Sequence, residues 1–187
     1  MTQARPDESN LISRSATGDQ QAFRQLVLHY QGLAFGCARG ITRNDADAKD
    51  AVQEAFIRLY RNIAQVDPNR PLKPYFLTIV ANCSRTLVVR KQRQTTGADI
   101  EDTLAKVPDE GRCPAGEILH EERKSAVRQL IDDLPQTMRE VCSLFYLGEC
   151  SCREVAGILK MSESAVKVAL HRARIQLRSG AKEWRIN

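Results

Sequence analysis

Residues 151–178 read SCREVAGILKMSESAVKVALHRARIQLR, and this stretch decides the fold of the second half of the chain. Ser151 with Glu154 three residues on spells a capping box, in which the hydroxyl takes an orphan N–H and the carboxylate reaches back to the cap. Ser162 is a second N-cap, followed by Glu163, whose charge suits the dipole of a first helical turn. Val155, Ala156, Ile158 and Leu159 share one apolar face, and Val166, Leu170, Ala173 and Leu177 form another at helical spacing. Two short helices across a tight turn, the second the more basic, make a helix-turn-helix.

The outward side of the second helix points to a polyanion. Lys167, His171, Arg174 and Arg178 follow at helical intervals and form one stripe, with Arg172 beside it. Ser162, Ser164, Lys167, Val168 and His171 lie toward the N-terminal half, the part of this motif that reaches base edges. Arg172, Arg174 and Arg178 lie further along, where phosphates run. A solvated basic face in an ordinary bundle would use the same residues; the paired caps and short turn favour duplex DNA.

Asp133-Leu134-Pro135, Arg139-Glu140-Val141, Gly148, Ser151, Glu154, Ala156, Ile158-Leu159, Val166-Lys167 and Leu170-His171-Arg172-Ala173-Arg174 together resemble the C-terminal domain of bacterial extracytoplasmic-function sigma factors. Two departures stand out: Lys160 occupies the place of a turn glycine, and Val168-Ala169 replace a polar or basic pair. The resemblance implies that this unit reads a minus-thirty-five element.

The bulk properties are compatible with that. A 187-residue chain is long enough for one large or two small domains, and its net charge of +5 favours an anionic partner. No apolar run approaches the roughly 20 residues that span a bilayer, and MTQARPDESN lacks a signal-peptide core. A cytoplasmic protein without membrane insertion is expected. Of the cysteines at 37, 83, 113, 142, 150 and 152, Cys37, Cys83 and Cys142 fall on apolar positions and read as small buried hydrophobes. Cys150 and Cys152, with Cys142 and His171, offer zinc donors without the usual paired spacing, so no metal or cofactor is expected.

Toward the N-terminus, Gly18-Asp19 marks a helix stop and the next start, and helical period runs from Ala22 to about Ile41. Gly32, Gly36 and Gly40 recur every fourth residue as a strip without side chains. Each costs about 1 kcal/mol against alanine in a helix, which implies an offsetting gain from close helix approach. Asn44 then opens a helix from Asp45 to about Ala64. Val52, Ala55, Phe56, Leu59, Tyr60 and Ile63 form its inward face, and Asp47, Asp50, Glu54, Arg58 and Arg61 line the opposite side. That charged side suits a partner or plain solubility; its carboxylates would also suit Mg²⁺ and a nuclease, though no His or Lys is placed to assist. DADAKDAVQEAFIRLYR resembles the segment with which the family grips the clamp of the polymerase's largest subunit. The resemblance makes Asp47, Asp50, Gln53, Glu54 and Phe56 polymerase contacts.

After the loop Asp67-Pro68-Asn69-Arg70-Pro71, a helix spans about Pro74 to Arg93 with Phe76, Ile79, Val80, Cys83 and Leu87 inward. Tyr75, Thr78, Asn82, Arg85, Val89 and Arg93 share another side, with Arg90 and Lys91 near its end. An aromatic ring, hydrogen-bonding groups and cations on one face suit an unstacked single strand. FLTIVANCSRTLVVRKQR resembles the family's melting and minus-ten segment, although Phe76 stands where tryptophan is common and Arg85-Thr86-Leu87 replace acidic and histidine residues. By that resemblance Tyr75, Thr78, Asn82, Arg85, Arg90, Lys91 and Arg93 meet the minus-ten strand.

Residues 94–116 lose periodicity and carry an acidic run, as a flexible linker would. Helix resumes near Glu117, reaches Leu134, and restarts at Pro135 with Met138, Val141, Cys142, Leu144, Phe145 and Leu147 as a surplus of apolar surface. Part of it packs on the helix-turn-helix. The remainder, by the resemblance, serves the polymerase flap-tip helix or an inhibitory protein. The expected fold is therefore all-α: a region 2-like bundle (1–93), a flexible acidic linker (94–116) and a region 4-like helix-turn-helix domain (117–187). The expected protein is a non-enzymatic sigma factor whose partners are core RNA polymerase, promoter DNA and, by the resemblance, an anti-sigma factor able to hold it at the inner membrane; no small-molecule substrate is expected. A stand-alone helix-turn-helix regulator and a nuclease using Asp47, Asp50 and Glu54 are the alternatives.

Overall fold

The structure, a computed structural model, describes residues 7–96 and 131–183. Of the linker expected at 94–116, residues 97–116 lie outside the described residues, as does most of the helix expected from 117.

Each N-terminal helix begins at a polar cap. Asp7 accepts from the Asn10 N–H at the start of α1, Glu8–Ala16, and Gly18, at φ +92°, makes the turn that glycine tolerates best. Asp19 accepts from the Gln21 and Ala22 N–H groups at 2.9 and 3.1 Å and opens α2, Gln20–Thr42. Asn44 accepts from Asp47 N–H at 3.0 Å and opens α3, Asp45–Asn62. A 3-10 turn at Ile63–Gln65 and the proline loop lead into α4, Leu72–Thr96, which runs three residues past the expected Arg93.

These four helices bury Leu11, Ile12, Leu26, Ile41, Leu59, Phe76, Leu77 and Val80 almost completely. Phe76 sits at the centre, with Tyr30 and Phe56 ring centroids 5.7 and 4.7 Å away. The Tyr30 hydroxyl donates to the Glu8 carboxylate, whose other oxygen accepts the Leu72 N–H at 3.0 Å. One side of α3 departs from expectation. Its buried stripe is Ala48, Ala51, Ala55 and Leu59, whereas Val52 and Phe56 are half-buried and Tyr60 is exposed. Small alanines let α3 approach α2 and α4 closely, and that turns its larger side chains to the edge of the packing.

In the second unit Pro135 is the N-cap of α5, Gln136–Cys142, one position before the expected first turn. A π-helical turn at Ser143–Leu147 follows, then α6, Cys152–Leu159, and α7, Glu163–Glu183. Leu134, Val141, Leu144, Val155, Ile158, Leu159, Val166, Leu170 and Ala173 form its core.

The two units pack on one another: α2 lies against α5 and the π-helical turn, and α4 against α6. The glycine strip is the seat. A Cβ on Gly40 would overlap the Ser143 hydroxyl and stand 2.5 Å from its Cβ, and one on Gly36 would lie 3.3 Å from Leu147. Gly32 faces open space and takes no part. Around this seat Arg39 forks onto Asp132 at 3.0 and 3.1 Å, and Lys73 donates to the Glu149 carbonyl at 2.6 Å. Arg139, 5% exposed, donates to the Gly40 and Leu134 carbonyls at 2.8 and 2.7 Å. Glu140, 2% exposed, accepts from Arg85 of α4 and from Gln136.

Candidate nucleic-acid and protein interfaces

The helix-turn-helix forms as its caps require. Glu154 N–H donates to Ser151 Oγ at 3.2 Å while Ser151 N–H donates to the Glu154 carboxylate at 2.7 Å. These bonds from Ser151 hold the Glu154 carboxyl below its usual range. Lys160 closes α6 in the left-handed region, φ 55°, its N–H on the Ala156 carbonyl. Ser162 Oγ then accepts the Ala165 N–H at 3.1 Å and starts α7.

Val166, Ala169, Leu170 and Ala173 turn inward, which leaves Ser162, Ser164, Lys167, Val168, His171, Arg172, Arg174 and Arg178 exposed. Lys167 is 2.8 Å from Glu163, and the hydrogen bond raises the lysine's pKa. Arg174 donates to the Tyr146 hydroxyl at 2.7 Å and stands 5.8 Å over that ring, so it is braced against the π-helical turn. Val168 is 48% exposed in the middle of the basic face.

On α4, Tyr75, Asn82, Arg90, Lys91 and Arg93 are exposed. Thr78 spends its hydroxyl on the Pro74 carbonyl at 2.8 Å. Arg85, Thr86, Val89, Arg90, Arg93 and Gln94 line a shallow groove with cations at its edges. Arg85, half-buried, is engaged with Glu140, and Lys91 with Asp47 of α3.

On α3, Asp50 and Gln53 are exposed and Glu54 pairs with Arg58 at 2.7 Å. Asp47 is a correction to the outward face. It is 8% exposed and bonded to Lys91 of α4 at 2.5 Å, because the position falls one turn before buried Ala51. With Asp47 turned inward and Glu54 neutralised, the three carboxylates do not converge as a nuclease site would need. Half-buried Phe56 lines an apolar groove with Phe23, Val27, Ile57 and Tyr60, whose walls are α2 and α3.

Two family models match this chain. Sigma-70 region 2 matches residues 26–94 and sigma-70 region 4 matches residues 124–177. The chain belongs to the sigma-70 family. It is 30% identical over 169 residues to a probable RNA polymerase sigma factor, RfaY, of Xanthomonas campestris pv. campestris, covering 90% of this chain and 42% of that protein's length. It is 28% identical over 178 residues to the ECF RNA polymerase sigma factor SigW of Bacillus subtilis, covering 92% of this chain and 95% of that one. The fold matches that of the sigma factor RpoE of Bartonella quintana, solved with the anti-sigma factor NepR. That match has a TM-score of 0.66 at 19% identity over 86% of this chain and 96% of the other. The region 2 match runs from within α2 through most of α4, and the region 4 match takes in α5, α6 and α7 as far as Leu177.

Sequence reasoning missed the clasp between the regions. Arg39, Asp132, Arg139 and Glu140 carry it, and the available signal was the glycine strip, which announced a close approach without naming what approached. Among the described residues no helix is long and apolar enough to cross a membrane.

Proposed function

We propose that this chain is an extracytoplasmic-function sigma factor that binds core RNA polymerase, directs promoter-specific initiation and is controlled by an anti-sigma factor. The observation that carries the reading is the separation of surfaces on one family scaffold: an acid-bearing α3, a cationic face on α4 and a capped, basic α7. Asp50, Gln53, Glu54 and Phe56 meet the polymerase clamp, where exposed acids fix register and on-rate more than affinity. Asp47 supports that surface from below. Tyr75, Thr78, Asn82, Arg85, Arg90, Lys91 and Arg93 hold the opened minus-ten strand by stacking and charge.

Ser162, Ser164, Lys167, Val168 and His171 reach base edges of the minus-thirty-five element, while Arg172, Arg174 and Arg178 lie over phosphates. Region 4 also offers half-exposed Phe145 and exposed Leu147 to the flap-tip helix. The polymerase supplies catalysis, and the work is done in the cytoplasm. Region 2 occupies residues 1–93 with its last helix running on to Thr96, and region 4 residues 117–187, joined by 94–116.

Transcription reconstituted from core polymerase, this chain and a genomic promoter library tests the reading. Specific transcripts that appear only with the chain present are expected; their absence, or failure to form a complex with core, overturns it. Tight, sequence-specific duplex binding by the chain alone would instead favour a stand-alone regulator.

A further inference from the structure

We propose that the free chain closes on itself, and that closure masks the DNA face of α4 by occupying Arg85. The inference rests on the reading that α4 meets the minus-ten strand. Its occupant is a named part of the same chain, the α5 segment that carries Arg139 and Glu140.

Three observations converge on one seam. Gly36 and Gly40 remove the side chains that would hold α5 and the π-helical turn away from α2, and Ser143 fills the space above Gly40. Arg139 sends its Nε to the Gly40 carbonyl at 2.8 Å, a group that α2's own helix does not exhaust, since a carbonyl has two lone pairs. Glu140, almost fully buried, takes Arg85 from α4, and α6 packs along α4 beside it. Arg85 therefore serves one of two acceptors: the Glu140 carboxylate in the closed chain, or a DNA phosphate in the open one.

The seam is built to open. Buried ion pairs repay little beyond their desolvation cost, and Arg139, Glu140, Arg39 and Asp132 all regain water when the regions part. A polar interface of this kind resembles transient rather than permanent contacts. Masking is partial: Tyr75, Asn82, Arg90, Lys91 and Arg93 stay exposed in the closed chain, and what closure withholds is the Arg85 contact, in proportion to the fraction of chains that are closed.

Gly40→Ala in the full chain is the wedge. Alanine is the better helix former, so region 2 itself is not weakened, while the new methyl collides with Ser143. Adding Ser143→Gly removes that collision, leaving the Arg139 carbonyl 3.8 Å from the new methyl, an ordinary contact. X-ray scattering should find the wild type near the compact limit of about 16 Å for its length. Gly40→Ala should be larger, and the double variant compact again. Anisotropy with fluorescein-labelled single-stranded DNA of random sequence should show Gly40→Ala and Glu140→Gln each binding about threefold to tenfold tighter than wild type. That gain should vanish when Arg85→Ala is added to Gly40→Ala.

A wild type already as extended as Gly40→Ala overturns closure. Expansion without tighter binding overturns masking. If Arg85→Ala also leaves reconstituted transcription unchanged, the assignment of α4 to the minus-ten strand fails, whereas the scattering result stands by itself.

Discussion

Lys160 is a long L-residue at a left-handed helix end, a place where glycine pays no steric penalty. Lys160→Gly should stabilise the chain by about 0.5–1 kcal/mol, read as a rise in the midpoint of thermal unfolding. Val168 is a second residue whose place carries a consequence. An exposed apolar group between Ser164, Lys167 and His171 suits a thymine methyl, so Val168→Ala should cost about 1 kcal/mol of discrimination at one minus-thirty-five position. Replacing that thymine with deoxyuridine should cost the wild type as much and the variant nothing, by transcription from matched templates. Both positions were legible in the sequence as departures from the family pattern. Asp47 was not. A carboxylate one turn ahead of an alanine stripe looks outward until the rotation of α3 is known, and that rotation is set by α4, which brings Lys91. Asp47→Ala should therefore destabilise region 2 by about 1 kcal/mol, since its partner Lys91 is half-exposed, and spare affinity for core polymerase. Asp50→Ala should do the reverse, by chemical denaturation and a core-binding titration.

At the scale of the element, the capping box at the head of α6 is the clearest case of sequence dictating structure. Ser151 and Glu154 were readable because both partners lie within one turn, and local rules suffice there. Its energetics depend on pH in a definite direction. The Ser151 N–H and hydroxyl depress the Glu154 carboxyl below its ordinary 4.5, so the stabilisation is present above that value and lost as pH falls through the folded one. Glu154→Gln should lower stability by at most about 1 kcal/mol at neutral pH, because the site is largely solvated, and the two proteins should converge in acid. Melting curves across that range check it. The same local reasoning placed the starts of α2, α3 and α7, whose caps Asp19, Asn44 and Ser162 precede their helices directly. It misjudged α3's inward face because periodicity fixes that a stripe exists, not which neighbours narrow it.

At the scale of the molecule, the seam was invisible to sequence because its pairs, such as Arg39 with Asp132 and Arg85 with Glu140, join residues far apart in the chain. Two thiols report on it. Burial pushes Cys37 up to about 12 and Cys150 up to about 11, and both lie where the regions meet. Thiols held protonated are poor nucleophiles, so iodoacetamide at neutral pH should reach half-exposed Cys152 well before Cys37 and Cys150. Gly40→Ala should accelerate the two seam thiols selectively, by peptide mass spectrometry. Because their folded values lie above the ordinary 9.0, their contribution to stability is whole below that value and is lost as pH rises through the folded ones.

Glu8 joins α1 to two other segments with one carboxylate, through the Tyr30 hydroxyl and the Leu72 amide. Tyr75 and the rest of the α4 face start within a turn of that amide. Trimming the amino end through Glu8, as a crystallographer or a tag designer would do without concern, thus unpins the origin of the helix proposed to hold melted DNA, while a cut that stops short of Asp7 leaves the anchor intact.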